Sequence, residues 1–197
     1  MILPIVAYGH PVLRKVAEDI DADYPGLAKL IEDMWETMYG SSGVGLAAPQ
    51  INKEIRLFII DTEQMYNNME EDERKKYPDA PGLKQVFINA HIDELDGEEW
   101  SYNEGCLSIP DIREDVFRQP VIRISYYDEN WHHHEDTFQG MAARIIQHEY
   151  DHIEGKLFTD KLSPLRRRLI EKKLNDISKG IVDVDYKMRF PAQKKGR

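Results

Sequence analysis

The pentapeptide His148-Glu149-Tyr150-Asp151-His152 constrains this chain more than any other stretch, because it reads H-E-x-x-H. Residues four apart share one face of an α-helix, so both imidazoles could reach a single metal ion. Glu149 could then act on a water at that ion without being a ligand itself. Residues 140–153 contain no proline and no internal glycine, and Gly155 follows as a helix stop. The flanks therefore predict a helix, although a solvated charged helix face without metal remains an alternative.

A third ligand is needed, because catalytic metal sites of this type use three protein ligands and one open position. One protease class continues the motif to a third histidine, but this chain has Gly155 followed by Phe158 at that position. Another class uses a downstream glutamate, and Glu171 lies 19 residues after His152. Glu171 is surrounded by lysines and arginines, however, and such a carboxylate usually pairs with its cationic neighbours. The remaining candidate is Cys106, upstream of the motif.

Length and composition predict one soluble globular domain spanning residues 1–197, with 41% hydrophobic and 31% charged residues. No apolar run approaches the roughly 20 residues of a membrane span. The N-terminus lacks the basic region and the apolar core of a signal peptide. The single cysteine allows no intrachain disulfide. We therefore expect a cytoplasmic protein, and we expect it to be a monomer.

The charge is distributed unevenly along the chain. Residues 161–197 contain 12 Lys or Arg and four acidic residues, a net charge of +8, so residues 1–160 carry −18 of the total of −10. A basic segment attached to an acidic body indicates a polyanionic partner. The alternative is that the basic segment lies on its own acidic domain.

Hydrophobic periodicity and turn residues predict the order of the secondary structure. A helix is predicted over residues 26–39 and a buried strand over residues 56–61. Residues 62–84 are polar and predict a surface insertion that is partly helical or mobile. Two hairpins follow: one pairs residues 85–95 with 98–104 around Asp96-Gly97, and the other pairs residues 121–127 with 131–138.

The second hairpin contains His132-His133-His134, which invites comparison with a metal cluster. Adjacent strand residues face opposite sides, so at most two of the three could converge, and an exposed hairpin is the favoured interpretation. Ser163-Pro164 predicts the start of a last helix over residues 164–179, with Gly180 as its stop. A short strand over 181–185 and a disordered tail over 186–197 complete the prediction.

Residues 40–50 form a glycine-rich stretch that ends in small residues and Gln50. It is neither a phosphate loop nor a dinucleotide fingerprint, because the glycine, lysine and hydroxyl residues that define those motifs are absent. Glycines allow the backbone to approach a ligand closely. The Gln50 amide could donate a hydrogen bond to an oxyanion.

Three stretches together resemble the motifs of the peptide deformylase family, in the family's order and over roughly residues 1–165. They are Gly43-Val44-Gly45-Leu46-Ala47-Ala48-Pro49-Gln50, Glu104-Gly105-Cys106-Leu107-Ser108 and Gln147-His148-Glu149-Tyr150-Asp151-His152. Pro49, the 62–84 insertion and the tail depart from the family pattern. The resemblance implies an α+β fold in which antiparallel β-sheets surround a central metal-binding helix, with a C-terminal helix. It also implies hydrolytic removal of the N-formyl group from the N-terminal formylmethionine of newly made polypeptides, with release of formate.

The same resemblance implies roles for individual residues. Cys106, His148 and His152 would bind one divalent metal ion, with Fe(II) favoured and zinc or nickel able to replace it. A metal-bound water would attack the formyl carbon, and Glu149 would serve as general base and then as general acid. The oxyanion would be stabilised by the Gln50 side chain and the Leu107 backbone N–H.

The resemblance also identifies a substrate cleft for N-formylmethionyl peptides. The peptide backbone would pair with Val44, Gly45 and Gly105, and Val44 and Ile145 would line the pocket for the methionine side chain. Arg113 would have a structural role, bridging acidic residues near the site.

The basic last helix resembles an element that docks on the ribosome. Phosphates of ribosomal RNA would be contacted by Arg166, Arg167, Arg168, Lys172 and Lys173. Two other function classes remain. A zinc endopeptidase would need a third ligand such as Glu171 and an extended cleft. A non-enzymatic structural zinc site would need a fourth ligand, and the chain has no second cysteine to supply it.

Overall fold

A computed structural model describes residues 1–75 and 82–192 of the chain. The helices are α1 (Leu27–Gly40), α2 (Thr62–Asn68), α3 (Glu71–Arg74), α4 (Gly140–Ile153) and α5 (Pro164–Ser178). The strands are β1 (Ile5–Val6), β2 (Gly45–Ala47), β3 (Leu57–Asp61), β4 (Lys84–Asp96), β5 (Trp100–Cys106), β6 (Ile109–Arg118), β7 (Val121–Tyr127), β8 (His133–Gln139) and β9 (Met188–Arg189). Short 3₁₀ turns span Pro11–Arg14, Ala48–Ile51 and Phe158–Lys161.

A five-stranded antiparallel sheet, ordered β2-β3-β4-β7-β8, is covered by a helix on each face. The alternation along β3 shows how the two faces are formed. Phe58 and Ile60 belong to the apolar cluster that includes α4. Leu57 and Ile59 belong to the cluster that includes α1. Because successive strand residues face opposite sides, a continuously apolar strand can bury both of its faces.

The opposite face of α4 is covered by the two-stranded antiparallel sheet β5-β6. Arg144 on α4 donates to the backbone carbonyls of Trp100 on β5, at 2.5 Å, and Val116 on β6, at 2.9 Å. Helix α4 is therefore enclosed between sheets, and α5 packs against β6. The predicted α+β architecture, with antiparallel sheets around a central helix and a C-terminal helix, is confirmed. No helix in residues 1–75 and 82–192 is long and apolar enough to cross a membrane.

The local predictions agree with the structure where the sequence pattern was strong. Helix α4 spans the predicted residues, and β7 pairs with β8 as the predicted second hairpin. Helix α5 begins after Ser163, whose hydroxyl accepts a hydrogen bond from the Arg166 amide at 3.3 Å. The start of the predicted insertion is helical, as α2 and α3, while residues 76–81 lie outside the described residues.

The predicted pairing of residues 85–95 with 98–104 is wrong. Strand β4 pairs with β3 on one edge and with β7 on the other, so both of its edges are occupied. Strand β5 pairs instead with β6, which the sequence analysis did not predict. Glu114 and Arg118 occupy inward positions of β6, alternating with apolar residues. These buried charges concealed the period-two pattern that identifies a strand.

The predicted strand over 181–185 is also wrong, since the final strand is β9, which pairs in parallel with β1. The Ile5 amide donates to the Lys187 carbonyl at 2.9 Å, and the Ala7 amide donates to the Arg189 carbonyl at 2.8 Å. The prediction of a disordered tail over 186–197 therefore fails for residues 186–192. Residues 193–197 lie outside the described residues.

Gly155→Ala is expected to destabilise the fold where the chain leaves α4. Gly155 has φ +68°, and a Cβ there would lie 2.9 Å from the backbone carbonyl of Arg14. Gly26 is a matched control, because its φ is +73° but a Cβ would meet nothing within 4 Å. Backbone strain costs about 1–2 kcal/mol at either position, and the steric clash adds about 1–3 kcal/mol at Gly155 alone. Urea denaturation measures the free energy of unfolding of both alanine variants. Equal decreases in that free energy would contradict the predicted clash at Gly155.

Candidate metal centre and active site

Three predicted ligands converge where β5 ends beside α4. His148 and His152 lie one turn apart on α4, and their ring centroids are 5.2 Å apart. Cys106, the last residue of β5, has its Sγ 3.3 Å from His152 Nε2. One candidate ligand atom from each of the three residues lies within 4.8 Å of the other two. Within the described part of the chain, this is the one such group of Cys, His or acidic residues.

The chemistry of these donors fits a divalent transition metal, since a thiolate with two imidazoles suits zinc, iron and nickel. His148 uses Nδ1 to contact Glu104 at 2.9 Å, which leaves its Nε2 available to an ion. Burial lowers the pKa of His152, and the positive charges of His148 and Arg118 lower it further. A neutral imidazole is the form that binds a metal. For His148, burial also acts to lower the pKa, but hydrogen bonds with Cys106 and Glu104 raise it well above its ordinary value.

Glu104 is the centre of a buried ionic network that holds His148, one of the three candidate ligands. Its carboxylate accepts hydrogen bonds from Arg118 Nε at 2.7 Å, Arg118 Nη2 at 2.9 Å and Arg144 Nη1 at 2.9 Å, besides its contact with His148. Arg118 also donates to Asp151 on α4 at 2.7 Å. Burial alone would raise the pKa of Glu104, but His148 and Arg118 outweigh it and hold that pKa far below its usual range.

Glu149 lies next to His148 on α4 but has no hydrogen bond with a described residue of this network. Its side chain is buried, and its Oε2 has no hydrogen-bond partner among the described residues. Burial raises the pKa of Glu149 to about 7; the positive charge of His148 opposes this rise, and the negative charge of Glu104 assists it. Gly45 packs directly against the carboxylate, and a Cβ there would lie closer than 3.0 Å to three Glu149 side-chain atoms. Only glycine fits at that position without displacing the acid.

A cavity of about 820 Å³ opens onto this group and has the size of a small-ligand site. Among the residues proposed from sequence, its lining includes Val44, Gly45, Gln50, Gly105, Cys106, Leu107, Ile145, His148 and Glu149. His152 lies behind this surface and is almost fully buried. The Gln50 amide nitrogen is 3.5 Å from Cys106 Sγ and 3.3 Å from the Ser108 hydroxyl. Its carbonyl oxygen accepts from the Ala47 amide at 2.9 Å, which fixes the direction of the amide.

The sequence analysis missed several residues of this site. Arg118 and Arg144 were given no role, although Arg144 lies four residues before His148 on the same helix face. Arg113 was predicted to bridge acidic residues, but it contacts the Asn103 side chain at 3.1 Å and the Asn103 carbonyl at 2.6 Å. Arg118 makes the acidic bridge instead. Met65, Tyr102 and residues 183–186 also line the cavity, and no motif marked them.

The three consecutive histidines lie on the β7-β8 hairpin, apart from this site. His134 Nε2 is 2.9 Å from Asp128 Oδ2, and His132 Nδ1 is 3.4 Å from the same oxygen. His132 and His133 are exposed and His134 is half-buried. Alternation along the strand therefore brings two of the three together, as predicted, around a carboxylate of their own hairpin.

Comparisons with known proteins agree with this geometry. The family model described as polypeptide deformylase matches residues 2–168. The chain is 60% identical over 197 residues to the peptide deformylase of Christiangramia forsetii, covering 100% of both chains. It is 55% identical over 199 residues to that of Flavobacterium johnsoniae, again covering 100% of both. Among solved structures, a peptide deformylase from Legionella pneumophila matches with TM-score 0.76 and 35% identity, covering 92% of this chain and 98% of that one.

Glu104→Gln is expected to destabilise the metal-free protein by about 3–5 kcal/mol, because it leaves the buried Arg144 guanidinium without a counter-charge and Arg118 with Asp151 alone. Glu135→Gln is the matched control. Glu135 pairs with Arg123 at 3.3 Å, but both side chains are more than half exposed, so this change should cost no more than about 0.5 kcal/mol. Urea denaturation of both variants measures the difference. If Glu104→Gln lowered the free energy of unfolding as little as the control does, the network would contribute little to stability.

Proposed function

The chain belongs to the polypeptide deformylase family, and on that basis we propose which of its residues perform the family's reaction. The protein is a metal-dependent hydrolase that removes the N-formyl group from the N-terminal formylmethionine of newly made polypeptides and releases formate. One observation supports the assignment of roles more than any other. A thiol, two imidazoles and an unpaired buried carboxyl group meet at one end of a substrate-sized cavity.

In this proposal Cys106, His148 and His152 hold the metal ion. When bound, the ion lowers the pKa of a water molecule and polarises the formyl carbonyl. Fe(II) is the proposed resident ion, and zinc or nickel can replace it, because the same donor set suits all three. Metal analysis of protein purified without air would test this choice, and a preparation containing zinc without iron would count against it.

Glu149 is proposed as the group that moves the proton. Its carboxylate accepts a proton from the attacking water as the new bond to the formyl carbon forms. The same carboxyl group then gives that proton to the amine nitrogen as the C–N bond breaks, so that formate and a free N-terminus result. A pKa of about 7 suits both directions of transfer near neutral pH. The absence of a hydrogen-bond partner at Oε2 among the described residues leaves that oxygen free to contact water.

The remaining groups in the cavity bind and orient the substrate in this proposal. The Gln50 amide and the Leu107 backbone N–H stabilise the developing oxyanion. The peptide backbone pairs with Val44, Gly45 and Gly105. This pairing is supported by β2, which lies at the edge of its sheet and is paired only with β3 in the described part of the chain. Val44 and Ile145 contact the methionine side chain.

We also propose that residues 1–197 act as one domain, with residues 62–84 as an insertion, and as a monomer in the cytoplasm. The domain assignment is supported by one apolar cluster that packs residues of β1, β6 and α5 together, so that the two ends of the chain share a core. Light scattering would test the oligomeric state, and a mass near twice that of the chain would contradict the proposed monomer.

Glu149→Gln is expected to retain the metal but to slow formate release from a formyl-Met tripeptide by at least about 100-fold, because the amide cannot accept the proton. Cys106→Ala should lose both metal and activity. Glu171→Gln is the control, since Glu171 lies exposed on α5; it should keep both. Metal content and formate are measured on each variant. If Glu171→Gln lost the metal and Cys106→Ala kept it, the endopeptidase alternative would be favoured instead.

Helix α5 is proposed to dock on the ribosome through part of its basic surface. Arg166 donates twice to Glu114, at 2.9 and 2.5 Å, and Arg167 lies 4.0 Å from Asp160. These two arginines are already partly neutralised within the domain. The structure gives no ion pair for Arg168, Lys172 or Lys173 with any described residue, and all three are exposed. These three remain available to phosphates.

Replacing Arg168, Lys172 and Lys173 by alanine is therefore expected to reduce co-sedimentation with ribosomes by about tenfold or more at low salt, and to flatten its salt dependence. The matched control removes three exposed basic residues elsewhere, Lys53, Arg123 and Lys156. This control has the same net charge and should still sediment with ribosomes. Equal sedimentation of the two triple variants would refute docking through α5.

A further inference from the structure

One wall of the substrate cavity is formed by residues 183–186, near the end of the chain, here called the C-terminal wall. Its position is fixed from two sides. Strand β9 follows it and pairs with β1, and the Tyr186 hydroxyl donates to the Leu107 carbonyl at 2.8 Å. Tyr8 of the segment after β1 donates from its amide to the Ser108 carbonyl, also at 2.8 Å. The wall is therefore tied to the cysteine-containing segment, which also lines the cavity.

Side chains of the C-terminal wall alternate between the protein and solvent. Val184 and Tyr186 are half-buried, whereas Asp183 and Asp185 are exposed. Both aspartates nevertheless belong to the cavity lining, and their exposure places these residues at its rim. The structure gives neither of them an ion pair with a described residue. A substrate entering the cleft would meet two carboxylates that are not neutralised.

The other charged groups of the lining do not cancel these carboxylates. Arg144 and His148 are paired with Glu104, so of the described cationic side chains in the lining only Arg113 remains against Asp111, Asp183 and Asp185. Burial raises the pKa of Tyr186, and the negative charges of Cys106, Asp111 and Asp185 add to the rise. The mouth therefore has a negative potential, and a cleft with low-dielectric walls concentrates such a field.

We propose that Asp183 and Asp185 are specificity-determining residues that favour N-formylmethionyl peptides with a basic side chain in the second or third position and disfavour acidic ones. This inference rests on the proposed arrangement of the active site, with the formyl group at Cys106, His148 and Glu149. An extended peptide advances about 3.3 Å per residue, so the residues after methionine leave the ligands and reach the mouth. Their charges would then lie beside the C-terminal wall.

The test compares kcat/KM for formyl-Met-Ala-Lys, formyl-Met-Ala-Gln and formyl-Met-Ala-Glu, measured as formate release by metal-loaded full-length protein. The variant is Asp183→Asn with Asp185→Asn. The matched control is Asp93→Asn with Glu94→Gln, which removes two exposed charges from β4, outside the cavity lining. Each protein is assayed at low salt and at about 0.5 M salt, where exposed charges more than a few ångströms apart are screened. Thermal denaturation checks that each variant is folded.

Wild-type protein and the control should prefer the lysine peptide over the glutamate peptide by about tenfold at low salt. That ratio should fall to about twofold or less in the Asp183→Asn/Asp185→Asn variant and at high salt. The inference would be overturned if the double substitution left the lysine-to-glutamate ratio unchanged. It would also be overturned if the wild type turned over the glutamine peptide well but showed no preference between the lysine and glutamate peptides. Either result would leave the proposed function intact. A wild-type protein that binds metal but releases no formate from the glutamine peptide would overturn both.

Discussion

The structure depends on one buried carboxylate, Glu104, more than on any other polar group. It joins three elements that are separate in sequence: β5, which carries it, β6 through Arg118, and α4 through Arg144 and His148. Ions buried this deeply are costly unless each finds a partner with good geometry. Both oxygens of Glu104 accept from cationic groups, and Asp151 completes the neutralisation of Arg118. The network thus holds sheet β5-β6 against α4 and orients the His148 ring, so fold and metal site share one interaction.

The second constraint is steric and links the glycine-rich segment to Glu149, the group proposed to move the proton. Gly45 packs so closely on the Glu149 carboxylate that any side chain would displace it. This contact shields the acid from solvent, and burial is the main reason why the pKa of Glu149 rises to about 7. Under the proposed role of Glu149, the glycine would contribute to acid–base chemistry without a functional group of its own. It also leaves the backbone of β2 open at the edge of the sheet, where an extended peptide could pair.

Sequence reasoning succeeded where one local pattern determined the outcome, as in helix α4 and the β7-β8 hairpin. It also proposed Cys106 as the third ligand, and the structure brings its thiol within 4.8 Å of a ligand atom of each histidine. It failed where charged residues face inward. Glu114 and Arg118 occupy the buried side of β6, and a strand with buried charges does not show the expected alternation. The ion pairs that justify their burial join residues 14 to 52 positions apart, and such pairings cannot be read from neighbouring residues in a single sequence.

The C-terminal segment shows why the net charge of a stretch can mislead. Residues 161–197 carry +8 in total, which suggested either a polyanionic partner or contact with the acidic body. The fold divides these charges among different surfaces. Arg166 and Arg167 face acids of the same domain, whereas Arg168, Lys172 and Lys173 face solvent. Asp183 and Asp185, a minority within this basic stretch, lie at the mouth of the substrate cavity. Strand β9, which brings the end of the chain back to β1, pairs through only two residues. So short a strand gives no periodic pattern in the sequence. The part of the segment that lines the cavity therefore has the opposite charge to the segment as a whole.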